Sequence, residues 1–144
     1  MAIIIDGKAT SLAMKEELKV KIQEFEAKNG FVPGLTVIIV GDDPASAVYV
    51  RNKENACSAV GIKSTTHRLP KETSEEELLA LIAKLNLDKN VHGILVQLPL
   101  PKQISEERVI AAISPSKDVD AFHAENVGHI MIGNYQFQIG RAHV

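Results

Sequence analysis

Three short segments of this chain carry side chains that could do chemistry. In the first, Ser46, Tyr49 and Lys53 stand three and four residues apart. At about 100° per residue of α-helix they fall within about 60° of one another. A serine, a phenol and an ammonium then share one stripe. At a cleft edge, partial desolvation favours the neutral amine, which suits a lysine to acid/base work near neutral pH. A solvated helix face with a snorkelling lysine explains the same residues, and taken alone they favour that plainer reading. In the second segment, Gln97 closes an apolar run and Leu98-Pro99-Leu100-Pro101 comes next. A glutamine there needs partners for both its carbonyl and its amide. It either satisfies nearby backbone or accepts from Lys53. The prolines stiffen their stretch of chain into a wall, which suits a flat apolar ligand or simply a rigid turn. In the third, Asp118 and Asp120 flank Val119. In extended backbone both carboxylates would face one side, where a carboxylate can meet a guanidine-like N–C–N edge with two hydrogen bonds. Loop aspartates are also common on any surface.

These segments need a scaffold, and the hydrophobic pattern supplies one. Ala2–Ile5 reads as a short strand ended by Asp6-Gly7, and a helix comes after it with Leu12, Leu18, Ile22 and Phe25 on one stripe. Asn29-Gly30 closes it. The β-branched run Leu35–Val40, between Pro33-Gly34 and Gly41, marks a buried strand. Gly41-Asp42-Asp43-Pro44 turns into a second helix that ends at Gly61, with Ala45, Val48, Ala56 and Ala59 as its expected core contacts. Ile62–Arg68 is a third, more polar strand. Thr73 and Glu76 have the spacing of a capping box for a helix bearing Leu78, Leu79, Ile82 and Leu85. Gly93–Gln97 is another strand, Ser105 caps a short helix through Ala112, and an amphipathic stretch runs to Ile132. Strands alternating with helices at this spacing predict an α/β fold. It is an open, parallel, three-layer sheet with helices on both faces and right-handed crossovers. In such sheets ligands bind outside the carboxyl ends of the strands, where all three segments arrive.

Composition narrows the function classes. A net charge of −2 gives no nucleic-acid or anionic-membrane surface. The apolar runs are far shorter than the roughly 20 residues that span a bilayer. Met1–Ile5 is too short for a signal peptide. The single cysteine, Cys57, cannot form an internal disulfide and fits a reducing cytoplasm. It sits about one turn beyond Lys53, where a lone thiol is a packing group before it is a nucleophile. The five histidines show no metal-ligand spacing.

Taken together, the segments resemble the methylenetetrahydrofolate dehydrogenase/cyclohydrolase family. Ser46–Lys53 is similar to its S-x-x-Y-x-x-x-K helix. Val91–Pro101 is similar to its G-I-x-V-Q-x-P-L-P signature, and Lys117-Asp118-Val119-Asp120 with Phe122-His123 to its K-D-V-D-G-F-H. Pro33-Gly34-Leu35 and Val40–Ser46 agree as well, so the likeness covers roughly residues 1–137. It implies NADP-dependent oxidation of 5,10-methylenetetrahydrofolate to the methenyl form, then hydrolysis to 10-formyltetrahydrofolate, in one-carbon metabolism and purine biosynthesis. By this resemblance Lys53 is the acid/base and electrostatic group of the hydrolysis and Gln97 holds and tunes it. Tyr49 lies against the aminobenzoyl ring and Asp120 bonds the pterin. Leu98, Pro99 and Pro101 form the apolar wall, and Ser46 supports the network. The implied partners are tetrahydrofolate derivatives, with neither nucleic acid nor membrane. The family forms homodimers largely through its cofactor domain, so this chain is expected to be monomeric.

The sequence departs from the family pattern at Ala121, where glycine is usual, and at Ala124, where proline is common. Ala121 would tighten its loop if that position takes positive φ. Residues 1–138 read as the folate-binding catalytic domain and 139–144 as a remnant of the NADP-binding one. Gly140, Arg141 and Ala142 resemble the cofactor loop V-I-G-R-S, with Ala142 in place of serine. Six residues cannot build a nicotinamide site, so the expectation is that the chain alone does not transfer hydride. Three other readings compete. Tyr49 and Lys53 match the Y-x-x-x-K of short-chain dehydrogenases, whose glycine-rich loop and upstream serine are missing. A receiver-like regulatory domain would explain Val40–Pro44, but the later strand ends in Gln97 where a phospho-accepting aspartate belongs. A folate-binding remnant without turnover would bind folate stoichiometrically and hydrolyse nothing.

Overall fold

A computed structural model describes residues 6–134. The strand expected over Ala2–Ile5 and the cofactor-loop residues Gly140, Arg141 and Ala142 lie outside them. Helix α1 (Gly7–Asn29) starts where the Asp6 side chain accepts from the amides of Lys8 and Ala9. It ends at Gly30, which takes the left-handed conformation at φ 77°. The stripe expected to bury this helix does not do so. Ile22 is buried, whereas Leu12, Leu18 and Phe25 are exposed. Among the described residues its main packing partner is another helix, α2 (Pro44–Val60).

The sheet has three parallel strands, β1 (Gly34–Val40), β2 (Lys63–Leu69) and β3 (Gly93–Val96), in the order β2-β1-β3. β1 is central and takes an apolar, β-branched sequence because it is covered on both faces. Val37 and Ile39, with Leu95, pack on Val50 of α2. Ile38 and Val40, with Ile94 and Val96, pack on the other side. There they meet Leu78, Ile82 and Leu85 of α3 (Glu75–Leu87) and Val109 of α4 (Glu106–Ala112). The expected three layers are therefore present, and a last helix, α5 (Ala124–Met131), completes the described chain. The capping box of α3 lies one residue later than expected. Ser74 and Glu77 form it, while Thr73 donates its hydroxyl to Pro70 O at 2.7 Å. Thr73-Ser74-Glu75-Glu76-Glu77 satisfies the motif in two registers, and burial of Thr73 decides between them. Ser105 caps α4 as expected, accepting from the Arg108 amide.

Strand order also locates the cleft. From β1 the chain passes over α2 to β2 on one side, then over α3 to β3 on the other. The carboxyl ends of β1 and β3 thus flank the point where the winding changes direction, the usual place for a ligand in an open α/β sheet.

Candidate active site

Helix α2 begins directly beyond β1. Asp43 is its N-cap and accepts from the Ser46 amide at 2.7 Å, with Pro44 in the first turn. Its buried side chains are Ser46, Val50, Cys57 and Val60, with Lys53 half-buried between them. This corrects the expected inner face at three positions: Val48 and Ala59 are exposed and Ala56 is half-buried, while the Ala45 side chain lies outside those described. Small residues tolerate either environment, so alanines were a poor guide to which side faces the sheet. The stripe carrying Ser46, Lys53 and Cys57 is itself the inward one.

That orientation aims Lys53 at β3. Helical side chains lean toward the helix N-terminus, here toward the carboxyl ends of the strands. Lys53 Nζ donates to Gln97 Oε1 at 3.0 Å. Gln97 directly follows β3, and its own amide donates to Ile38 O at 2.8 Å, so its backbone is held on the central strand. Its side-chain Nε2 donates to Leu98 O at 2.8 Å. Lysine can only donate, so this second bond leaves the amide one orientation, with oxygen toward the ammonium. Tyr49, one turn before Lys53, is 62% exposed and available to a ligand lying over the helix.

The other expected residues divide between two flanking surfaces. Leu98, Asp120 and Phe122 line one pocket together with Ile94, Val109 and Asp118. Pro99 and Pro101, with Leu100, line a groove of about 360 Å³ facing Asp42, Asp43 and Lys71. The Leu98–Pro99 peptide bond is cis. Gln97 and Leu98 join the two surfaces to the lysine.

The aspartate loop is not extended. It turns at Val119 and Asp120, and Ala121 adopts φ 53°. An L-residue there costs roughly 1–2 kcal/mol. The two aspartates are consequently not equivalent. Asp118 is 3% exposed, and its Oδ2 accepts from the His123 amide at 2.8 Å and from Asn126 Nδ2 at 3.0 Å. Asp120 is half-buried. Lys117, unassigned by its residue type, donates to Leu85 O and Asp88 O and so closes the end of α3. Nothing in its spacing announced that job. Burial pushes the Cys57 thiol above its ordinary range; the Ser64 hydroxyl offsets this in part without making a full hydrogen bond. A thiol held in its protonated form is a packing group.

The profile of the tetrahydrofolate dehydrogenase/cyclohydrolase catalytic domain matches residues 5–120. The chain belongs to that family. A bifunctional protein FolD from Prosthecochloris aestuarii is 58% identical over 132 residues, 92% of this chain and 45% of its own length. One from Acetivibrio thermocellus is 57% identical over 94% of this chain and 47% of its own. Among solved structures, a silkworm (Bombyx mori) 5,10-methylenetetrahydrofolate dehydrogenase superposes with a TM-score of 0.89 at 48% identity, covering 92% of this chain and 46% of that one. The Trypanosoma brucei methylenetetrahydrofolate dehydrogenase-cyclohydrolase, complexed with NADP cofactor and inhibitor, superposes at 0.87 with 36% identity, covering 91% and 44%. The chain thus spans about half the length of the curated relatives it matches. Among the described residues, no helix is long and apolar enough to cross a membrane.

Proposed function

We propose that residues 1–138 are the folate-binding catalytic unit of a methylenetetrahydrofolate dehydrogenase/cyclohydrolase and carry the hydrolytic step. The observation behind this is the Lys53–Gln97 hydrogen bond, made between a helix and the end of a strand at the point where the sheet's winding reverses. In the reaction, a water oxygen bonds to the carbon bridging N5 and N10 of methenyltetrahydrofolate. The bond from that carbon to N5 then breaks and leaves a formyl group on N10. One water proton remains on N5 and the other is released. Lys53 is the group that accepts and passes on the proton, and its cationic form opposes the charge gathering on the attacking oxygen. Gln97 holds its amine at a fixed place. Tyr49 lies under the aminobenzoyl ring, Asp120 bonds the pterin, Leu98, Pro99 and Pro101 form the apolar wall, and Ser46 braces the start of the helix.

The nicotinamide step is a different matter. The turn from β1 to α2, where Gly41 (φ 87°) precedes a helix N-terminus, is the natural place for a pyrophosphate. Asp43 already fills it by capping the helix, and exposed Asp42 stands beside it. Two acidic side chains do not fit an anionic dinucleotide. We assign NADP to the part of the family's length beyond the described residues, where Gly140, Arg141 and Ala142 belong.

The test follows methenyltetrahydrofolate hydrolysis by absorbance with the 144-residue chain and with Lys53→Met, against the spontaneous rate. Acceleration by the wild type that falls at least about 100-fold with Lys53→Met supports the assignment. Equal acceleration by the two proteins rejects Lys53 as the catalytic group. Stoichiometric folate binding with no acceleration marks a binding unit only.

A further inference from the structure

We infer that Asp118 is a positioning residue that sets where the Asp120 carboxyl stands, and does so without meeting the ligand itself; this rests on Asp120 being the pterin-binding group. The backbone at Asp118 pairs with Ile94 in an isolated parallel bridge, so the residue is fixed to β3. Its side chain then reaches forward. Oδ2 accepts from the His123 amide, five residues on, and from the side chain of Asn126, eight residues on, within the first turn of α5. Asn126 Nδ2 also donates to Pro115 O at 2.9 Å, so one amide group ties both ends of the turn together. One buried carboxyl oxygen therefore closes a loop whose two feet are β3 and α5. Asp120 is at the tip, between Val119 and the left-handed Ala121.

Ala121 is buried and Val119 lies over Gly93 of β3, but Val119 and Phe122 are each more than a third exposed, and the backbone bond closing the turn, from the Ala121 amide to Asp118 O, is long at 3.4 Å. Without the Asp118 side chain, the His123 amide and the Asn126 side chain lose their shared acceptor. The tip can then relax out of its costly left-handed geometry. Asp120 lines the same pocket as Leu98 and Ile94, so a shift of the tip moves its carboxyl relative to the wall that the ligand must also touch.

The experiment compares wild type with Asp118→Ala, Asp118→Asn, Asp120→Ala and the Asp118→Ala/Asp120→Ala double variant of the full chain. It measures binding of 5-formyltetrahydrofolate by calorimetry and exchange of the His123 amide by NMR. Asp118→Ala is expected to weaken binding about as much as Asp120→Ala, at least ~10-fold, with the double variant no worse than either, because both act through one contact. Asp118→Asn keeps a carbonyl oxygen as acceptor and is expected to bind within ~3-fold of wild type. Losses that add in the double variant, or wild-type affinity in Asp118→Ala, overturn the inference. Should Asp118→Ala not fold, Asn126→Ala removes one of the two donors and is expected to weaken binding in the same direction, by less. If the wild type binds no reduced folate, the folate reading fails on its own and the loop is judged by exchange alone. His123 should then exchange at least ~10-fold faster in Asp118→Ala but not in Asp118→Asn, and an unchanged amide overturns the positioning role.

Discussion

Replacing Gly34 by alanine should cost more stability than its size suggests. Gly34 opens the central strand, and a Cβ there would stand 2.1 Å from Asn90 O and 3.4 Å from His92 Nδ1. The obstruction is main chain, so no rotamer change relieves it. The backbones must separate by about 1 Å to restore ordinary contact, within the roughly 1–3 kcal/mol that overpacking costs. That movement also stretches two hydrogen bonds, from His92 N to Gly34 O at 2.8 Å and from Gly34 N to His92 Nδ1 at 2.9 Å. Each contributes about 0.5–1.5 kcal/mol. The total is about 2–6 kcal/mol, a large part of what holds a domain of this size together. Urea denaturation followed by circular dichroism measures it, with Gly128→Ala as the control. Gly128 lies in α5 with nothing within 4 Å of an added Cβ, so there alanine should be neutral or stabilise by up to about 1 kcal/mol. A loss below about 1 kcal/mol for Gly34→Ala would refute the claim that close approach, and not local flexibility, is what the position demands.

At Ala121, glycine removes the left-handed cost of about 1–2 kcal/mol but adds about 0.5–1 kcal/mol of freedom to the unfolded chain. Ala121→Gly should therefore gain up to about 1.5 kcal/mol in the same denaturation assay, while Ala121→Val loses more than about 2 kcal/mol; the reverse order would contradict the φ of 53°. Cys57 should react with iodoacetamide far more slowly than a free thiol at mildly alkaline pH, and at the free rate in urea, because burial favours its neutral form. With the folded value raised, its contribution to stability is full below the ordinary thiol range and declines as pH rises through that range toward the folded value. Native-state alkylation as fast as that of a small thiol would show that the side chain is not sheltered.

Much of this architecture could be read from residue types because several signals agreed at one place. Leu35–Val40 is apolar, β-branched and bounded by glycines, and α2 has Pro44 at its start and Gly61 at its end. Faces were harder to read than boundaries. The alanines of α2 pack or stand in water at nearly equal cost, so the inward stripe was decided by Val50 meeting the sheet. The apolar residues of α1 suggested a continuous buried stripe, of which Ile22 is buried and Leu12, Leu18 and Phe25 are exposed. In the aspartate loop, alternation of side chains assumes extended backbone. The turn at Val119–Asp120 breaks that assumption and sends Asp118 inward. Its partners, His123 and Asn126, are set by tertiary contact, which no spacing rule contains.

Gln97 donates its main-chain amide to Ile38 O on the central strand, whereas Asp120 stands on a turn whose feet are tied to β3 and α5. The two halves of the site therefore differ in tolerance. The Lys53–Gln97 half inherits the stiffness of the sheet and allows little error in where a reacting atom sits. The Asp120 half can be retuned by exchanging the exposed loop residues Val119 or Phe122, leaving buried Asp118 and Ala121 in place. A change of ligand preference is thus expected to arise in residues 119–123 before it arises anywhere near the lysine.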